Sequence, residues 1–306
     1  MPTVKALLFP GQGAHDLKML EGLVQLEAYR KRYRTICEIM ACDPVREMER
    51  KKEAYLNQNR ISSVLTVLAS CLCLSEYLKT EPPPRYYAGY SVGQWTALHA
   101  AGALSFEALV SVLDRRAGLM DRCFEEGKGA MMAVIGVRED ALEAYLSRFR
   151  EQGHFIEISN FNCLGQFSIA GTREAIDLAM ASAAQLGARK TLRLPVQGAW
   201  HCALLAPAEK AFRHHLEGVP LTPLHTPVID NTTGDLLPTE TRRLRDRLAQ
   251  QISLPVLWEK GIRRLSELGC TEFIETGYGN VLTKFGFFIN RDANHKTFYP
   301  APEQGR

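Results

Sequence analysis

Short apolar runs alternate with longer amphipathic segments along the first part of the chain. Residues 5–9, of which all but Lys5 are apolar, lead into Pro10-Gly11-Gln12-Gly13, a sequence typical of a strand that ends in a loop. Helical patterns follow, including the apolar segment 61–79, and three prolines precede a second predicted strand at 85–88. A further helix is predicted at 105–125, with Ser105 as its N-cap. Strands that alternate with helices predict a parallel sheet that is covered on both faces.

The pattern changes near residue 129, where strands become more frequent. The order β-α-β-β-α-β, in about 65 residues, is that of the ferredoxin-like split motif. We therefore predict a small ferredoxin-like domain at residues 128–195, inserted into a large domain made of residues 1–127 and 196–306. The strands of the small domain are predicted at 130–137, 155–161, 166–170 and 189–194, and its helices at 138–150 and 172–186.

After the insertion the chain returns to the alternation of the large domain. A helix is predicted at 204–216 and a strand around 227–230. A helix at 259–269 then leads to a last parallel strand at 272–275. The expected site is a cleft between the carboxyl edge of the parallel sheet and the inserted domain.

Composition narrows the class of protein. The chain has 306 residues, of which 46% are hydrophobic and 23% charged, and its net charge of +3 does not indicate a nucleic-acid binder. Its eight cysteines form no C-x-x-C pair, which favours reduced, packed cysteines. The apolar segment 63–78 contains Ser, Thr and Cys and is interpreted as a buried core helix. We expect a soluble cytoplasmic protein without a leader or a membrane segment.

The most informative motif is Gly89-Tyr90-Ser91-Val92-Gly93, a G-x-S-x-G sequence between a predicted strand and a predicted helix. In that context the two glycines let the strand turn sharply into the helix and leave Ser91 at the tip of the turn. A serine so placed can attack a carbonyl carbon, and backbone N–H groups at the helix start can hold the oxyanion. The pentapeptide occurs by chance in many chains, so its flanking segments and other catalytic residues further along the chain must support the interpretation.

A serine nucleophile needs a base, and the chain has eight histidines. His201 follows the return of the chain to the large domain, where a loop can face the cleft. Position alone does not decide between His201 and the other seven, since a lone histidine is more often structural or solvated. Those seven are His15, His99, His154, His214, His215, His225 and His295.

Several motifs together resemble one family. The chain is similar to malonyl-CoA:acyl-carrier-protein transacylases, the free-standing acyltransferases of fatty acid and polyketide synthesis. The matching segments occur in family order over nearly the whole chain. They are Phe9-Pro10-Gly11-Gln12-Gly13, the G-x-S-x-G motif, Asn160-Phe161-Asn162-Cys163-Leu164-Gly165-Gln166, Trp200-His201, Pro227 to Gly234, Gln251 with Pro255-Val256-Leu257-Trp258, and Glu275 to Leu282.

The resemblance implies an α/β-hydrolase-like large domain and a catalytic Ser91–His201 dyad. In the family a backbone carbonyl, here that of Gln251, orients the histidine, and the N–H groups of Gln12 and Val92 form the oxyanion hole. No metal or bound cofactor is implied; malonyl-CoA is the donor, and a carrier protein with a phosphopantetheine thiol is the acceptor. The resemblance also implies a monomer, whereas the expectation that the protein binds neither nucleic acid nor membrane rests on its charge and hydropathy.

Three further residues are implied to contact the substrate. Arg116 lies where the family keeps an arginine that binds the free carboxylate of a malonyl group, a task that suits a planar, permanently charged guanidinium. Without the resemblance, the residue type and position favour a solvated helix charge for Arg116, like its neighbour Arg115, and the resemblance reverses this interpretation. Asn162 is placed in the cleft, and Trp200 beside the base either crowds an α-methyl branch or packs in the core.

The chain departs from the family pattern at three positions. Tyr90 replaces the usual histidine before the nucleophile, Gln94 stands where glutamate is frequent, and Ser62 falls where a glutamine is expected. The first departure also resembles the malonyltransferase component of malonate decarboxylases. A thioester hydrolase with the same dyad is the other alternative, although Arg116 argues against uncharged substrates.

A carrier protein of this kind is acidic, so we expect it to dock on basic residues at the mouth of the cleft. The candidates are Arg189, Lys190, Lys284 and Arg291.

Overall fold

The computed structural model describes residues 3–13 and 15–300, apart from the side chains of residues 125 and 126. These residues form two separate four-stranded sheets, one parallel and one antiparallel, with helices packed on them. The predicted mixed α/β class is confirmed. The strands are β1 (Lys5–Phe9), β2 (Tyr86–Gly89), β3 (Gly129–Ile135), β4 (Ile156–Cys163), β5 (Gln166–Thr172), β6 (Lys190–Arg193), β7 (Glu272–Thr276) and β8 (Asn294–Phe298).

Twelve α-helices occur among the described residues, joined in places by short 3-10 turns. They are α1 (Glu27–Met40), α2 (Pro44–Lys51), α3 (Glu53–Leu56), α4 (Asn59–Thr80), α5 (Gly93–Ala100), α6 (Phe106–Asp121), α7 (Glu139–Glu151), α8 (Arg173–Ala181), α9 (Ala206–Glu217), α10 (Thr241–Gln250), α11 (Trp258–Glu267) and α12 (Val281–Ile289).

The parallel sheet has the order β2-β1-β7-β8, and its strands β2, β1 and β7 are buried on both faces. Successive side chains of a strand point to opposite faces, so a strand covered on both sides needs a continuous apolar run. In β1, Leu7 and Phe9 pack into a large core with α1, α4, α5 and α6, whereas Ala6 and Leu8 pack into a smaller core with α11 and α12. The unbroken apolar run of β1 follows from this two-sided burial.

Helix α4 is the centre of the larger core. It is long and apolar enough to cross a membrane, but 83% of its most apolar stretch is buried inside the protein. Its side chains are buried around almost the whole circumference, as in the core helix of a soluble protein. The interpretation of segment 63–78 as a core helix is therefore confirmed.

The antiparallel sheet has the order β4-β5-β3-β6, and its elements follow one another as β-α-β-β-α-β, as predicted. One face, which includes Met132 and Val134, packs against α7 and α8 in a third core. The opposite face turns toward the parallel sheet. Strand β4 is attached to the rest of the chain by backbone hydrogen bonds, from Phe161 N to Val256 O (2.9 Å) and from Val256 N to Ser159 O (2.9 Å).

Two predictions in the large domain are wrong. Residues 227–230 form isolated bridges, Val228 with Tyr87 and Ile229 with Leu236, rather than a regular strand. The strand at 272–275 is not the last, because β8 follows α12 and pairs with β7 in parallel. Strand β8 is a polar edge strand, so it lacks the apolar run that marks a buried strand. The α/β-hydrolase-like and ferredoxin-like descriptions, and the domain boundaries, stay predictions.

Candidate active site

Ser91 lies in a tight turn between β2 and α5. Its φ of 53° is in the left-handed region, which non-glycine residues rarely adopt. A Cβ atom at Gly89 would lie 2.0 Å from the backbone of Gly93, and one at Gly93 would lie 2.2 Å from the Phe9 carbonyl oxygen. Only glycine fits at both positions, which explains in physical terms why the G-x-S-x-G spacing produces this turn.

His201 is in contact with Ser91. Its Nε2 lies 2.6 Å from the Ser91 Oγ, and its Nδ1 lies 2.8 Å from the backbone oxygen of Gln251. Because a carbonyl only accepts, Nδ1 carries the proton and Nε2 is free to accept one from the serine hydroxyl. The predicted pairing of these three residues is thus present. His201 also adopts a positive φ, 59°, so both members of the pair have strained backbones.

Burial governs the charge of His201. The residue is only 3% exposed, and burial, followed by the nearby positive charge of Arg116, lowers the pKa of His201 from 6.5 to about 3. A neutral imidazole can take a proton, whereas an imidazolium cannot. The histidine is therefore kept in the form that a general base requires.

Gln251 reaches this pair with its side chain as well as its carbonyl. Its Nε2 donates to the backbone oxygen of Ser91 (2.6 Å) and to Asn231 Oδ1 (3.2 Å). Its Oε1 accepts from Arg116 Nη2 (3.2 Å) and Trp95 Nε1 (3.4 Å). One buried residue thus joins the serine, the histidine and the arginine.

Asn231 is a site residue whose role the sequence analysis missed. Its Oδ1 accepts from the Ser91 N–H (2.9 Å), and its Nδ2 donates to the Gly89 carbonyl (2.7 Å). It therefore holds both sides of the serine turn. Its own N–H donates to Gln94 Oε1 (2.7 Å), a neutral acceptor at a fully buried position. The only signal was its place in the Pro227–Gly234 motif.

Arg116 lies beside the pair as a buried cation. It is 2% exposed, and burial lowers its pKa from 12.5 to about 10, although the charge of Asp121 acts in the opposite direction. Its Nε has no hydrogen-bond partner among the described residues. Arg116 is not a solvated helix charge, and a buried guanidinium with a free donor is suited to an anion.

The predicted oxyanion donors lie in the two loops at the carboxyl ends of β1 and β2. Within the described part of the chain, the backbone N–H groups of Gln12 and Val92 donate to no acceptor. The Gln12 side chain is anchored to α4, with Nε2 2.7 Å from Asn59 Oδ1 and 2.9 Å from the Oγ atoms of Ser62 and Ser63. Ser62 therefore contacts the loop that carries Gln12.

A cavity of about 230 Å³ opens between the two sheets. Gln12 and Tyr90 line it from the side of the parallel sheet, and Asn162 lines it from β4. Trp200 does not line this cavity but packs edge-on against Phe124, with ring centroids 5.6 Å apart. The cleft predicted between the parallel sheet and the inserted segment is present, with Asn162 in it and Trp200 beside it.

Comparison with known proteins identifies the family. No family model matched the chain. A malonyl CoA-acyl carrier protein transacylase from Bacillus subtilis is 32% identical over 290 residues, which cover 94% of this chain and 90% of that protein. The chain belongs to the malonyl CoA-acyl carrier protein transacylase family. Another member, from Haemophilus influenzae, is 29% identical over 282 residues, which cover 90% of this chain and 89% of the relative.

Solved structures of the transacylase family agree with this fold. A malonyl-transacylase in complex with its type II PKS acyl-carrier protein superimposes with a TM-score of 0.92 at 28% identity, covering 98% of this chain and 97% of that one. An acyl-carrier-protein S-malonyltransferase from Burkholderia pseudomallei gives a TM-score of 0.91 at 27% identity, with the same coverage. Both sheets are thus shared with the family.

The first prediction concerns the charge of His201. NMR titration of the imidazole should show a neutral, Nδ1-protonated ring at pH 5, because its pKa lies well below 6.5. Arg116→Gln should raise this pKa, since the arginine charge is one cause of the depression, while Arg115→Gln at the exposed neighbouring position should not. A titration midpoint near 6.5 in the unmodified protein would contradict the analysis.

A second prediction concerns the serine turn. Asn231→Ala should lower the free energy of unfolding by about 3 kcal/mol, because the Ser91 N–H and the Gly89 carbonyl lose their buried partner. Asn294→Ala, at an exposed position of β8, is the control and should change it by less than about 0.5 kcal/mol. Chemical denaturation measures both. Equal effects would mean that Asn231 does not support the turn.

Proposed function

We propose that this protein transfers a malonyl group from malonyl-CoA to the phosphopantetheine thiol of an acyl carrier protein. The observation that carries the proposal is the buried guanidinium of Arg116, which has a free donor and is joined through Gln251 to the Ser91–His201 pair. The names of the relatives, which specify malonyl-CoA and acyl carrier protein, support the same substrates. We further propose that the protein works in the cytoplasm.

The first half-reaction acylates Ser91. Its Oγ attacks the thioester carbon while His201 Nε2 takes the hydroxyl proton, as the 2.6 Å contact between them allows. The N–H groups of Gln12 and Val92 stabilise the oxyanion. The carbon–sulfur bond then breaks, and His201 returns the proton to the departing sulfur of coenzyme A.

The second half-reaction uses the same groups. The pantetheine thiol gives its proton to His201, its sulfur attacks the acyl carbon, and the bond to Ser91 Oγ breaks. The serine oxygen then recovers the proton from His201. The covalent intermediate divides the transfer between two thiols into two easier steps.

Arg116 links substrate choice to the base. When a malonyl carboxylate pairs with the guanidinium, it offsets one of the two causes that depress the pKa of His201. The histidine then accepts a proton more readily when a malonyl group is in place. An uncharged acyl group cannot produce this change.

Other roles follow from position. We propose that Asn162 contacts the substrate from β4, which its place on the cavity wall supports. Trp200 is proposed to limit the space beside the base, although its contact with Phe124 serves packing as well. Residues 128–195 are proposed as the small domain that forms the second wall of the cleft. The named relatives are carrier-protein transacylases, so they do not favour a hydrolase or a malonate decarboxylase component.

The central test of the proposed function is the substrate dependence of Arg116→Ala. Malonyl transfer should fall by roughly two orders of magnitude or more, consistent with ~3 kcal/mol for a buried charge that loses its partner. Acetyl transfer should stay constant or rise, since an acetyl group has no carboxylate. Acyl-enzyme formation from malonyl-CoA and acetyl-CoA is measured side by side by intact mass.

The matched control is Arg115→Ala, which removes the exposed neighbouring arginine and should leave both rates unchanged. Equal losses of malonyl and acetyl transfer in Arg116→Ala would show that Arg116 supports the structure of the site and does not bind the carboxylate. The malonyl assignment would then be wrong.

We also propose where the carrier protein docks. Lys190 in β6 lies two residues before Leu192, which lines the cavity, so the two side chains point to the same face of the sheet. Lys284 lies on α12 next to Val281 and Phe285, which also line the cavity. Both lysines are exposed and, within the described residues, have no ion-pair partner, as is also true of Arg189 and Arg291. Such charges can attract an acidic carrier protein.

Charge reversal tests this docking surface. Lys190→Glu and Lys284→Glu together should raise the KM for the carrier protein several-fold at low salt, and added salt should reduce the difference. Lys31→Glu, on the exposed side of α1, is the control and should have little effect. A carrier KM that responds to neither the reversal nor the ionic strength would exclude this surface.

A further inference from the structure

Tyr90 joins the serine turn to the antiparallel sheet. It directly precedes Ser91, and its phenol oxygen donates a hydrogen bond to Asn162 Oδ1 at 2.6 Å. Asn162 belongs to β4, 72 residues further along the chain. The bond therefore connects the turn of the parallel sheet to the other sheet at the wall of the cavity between them.

Both ends of this bond are held in place. Asn162 is buried, and its Nδ2 donates to Ser168 Oγ on the neighbouring strand β5 at 3.2 Å. The Tyr90 ring packs edge-on against Trp258 at the start of α11, with centroids 5.6 Å apart. A fixed donor and a fixed acceptor lose little conformational entropy when they form a hydrogen bond. The contact can therefore hold the two sheets in one relative position.

The other nearby connection of β4 has a different target. The backbone bonds to Val256 attach β4 to the segment that follows Gln251, not to the serine turn. The hydrogen bond of Tyr90 adds a second connection, which lies next to Ser91, the residue that would carry the acyl group. Loss of the phenol oxygen would leave the backbone attachment and the ring contact with Trp258 intact.

We propose that the Tyr90–Asn162 hydrogen bond is a clasp that holds the cleft closed around the acyl-serine and favours transfer to the thiol over hydrolysis. This inference rests on the proposed function. In hydrolysis a water oxygen attacks the acyl carbon, its proton passes through His201, the bond to Ser91 Oγ breaks, and free malonate leaves. A closed cleft limits the entry of water and keeps the pantetheine arm aligned. Tyr90 is thus a positioning residue.

The test compares two tyrosine variants. Tyr90→Phe removes the clasp, whereas Tyr145→Phe removes the phenol contacts of Tyr145 with Ala179 O (2.6 Å) and Ser182 Oγ (2.7 Å), which lie between α7 and the end of α8 and away from the cavity. The malonyl-enzyme is isolated, and its decay to malonate in buffer and its discharge to carrier protein are measured. The ratio of transfer to hydrolysis should fall roughly five-fold in Tyr90→Phe, as expected for one hydrogen bond, and stay unchanged in Tyr145→Phe.

A double-mutant cycle with Asn162→Ala separates the clasp from other roles of either residue. Asn162→Ala alone should also lower the ratio, and Tyr90→Phe should have little further effect in that background. Additive effects, or an unchanged ratio in Tyr90→Phe, would overturn the clasp while leaving the proposed function intact. If the unmodified protein forms no malonyl-enzyme, the proposed function fails and the clasp fails with it.

Discussion

The hydrogen bonds of Gln251 are the constraint on which the rest of the site depends. Its carbonyl fixes the tautomer of His201, its amide holds the Ser91 carbonyl, and its side-chain oxygen accepts from Arg116. Ser91 and His201 both have backbone conformations that cost of order 1–3 kcal/mol each. They persist because buried partners, Asn231 and Gln251, determine their positions from several directions. A backbone carbonyl also orients the histidine without adding a negative charge.

Among the described residues, the partner of His201 Nδ1 is a carbonyl and not a carboxylate, and this has an electrostatic consequence. An acid would raise the pKa of the histidine, whereas here burial and Arg116 both lower it. Asp121 balances part of the Arg116 charge, but the Arg116 Nε has no hydrogen-bond partner among the described residues, so the guanidinium can still bind an anion. In our proposal the malonyl carboxylate is that anion, so the group that is recognised also adjusts the base. In this proposal the charge of Arg116 both binds the substrate and helps to set the pKa of the base.

The sequence predicted those features that have a local cause. Gly89 and Gly93 require the serine turn, because no Cβ fits at either position, and the apolar run of β1 requires a sheet buried on both faces. The pairing of His201 with Ser91 came from the family resemblance, since eight histidines were open on position alone.

Contacts between distant residues could not be predicted in this way. Asn231 supports the serine turn from 140 residues away, and no local pattern marks such a contact. The Tyr90–Asn162 bond was likewise hidden, although Tyr90 was noticed as a departure from the family. Strand β8 was missed because its ladder with β7 satisfies the backbone of a polar segment that has no apolar run of its own.

Peptide mapping of the acylated protein tests the central claim, that Ser91 carries the malonyl group, most directly. The protein is incubated briefly with malonyl-CoA, acidified and digested with trypsin, which releases residues 86–115 as one peptide. This peptide contains Ser91 but no cysteine, so a thioester on a reactive thiol cannot be mistaken for the expected ester. Our account predicts one malonyl group, located on Ser91 by fragmentation. A malonyl group on any other residue, or none, would contradict it.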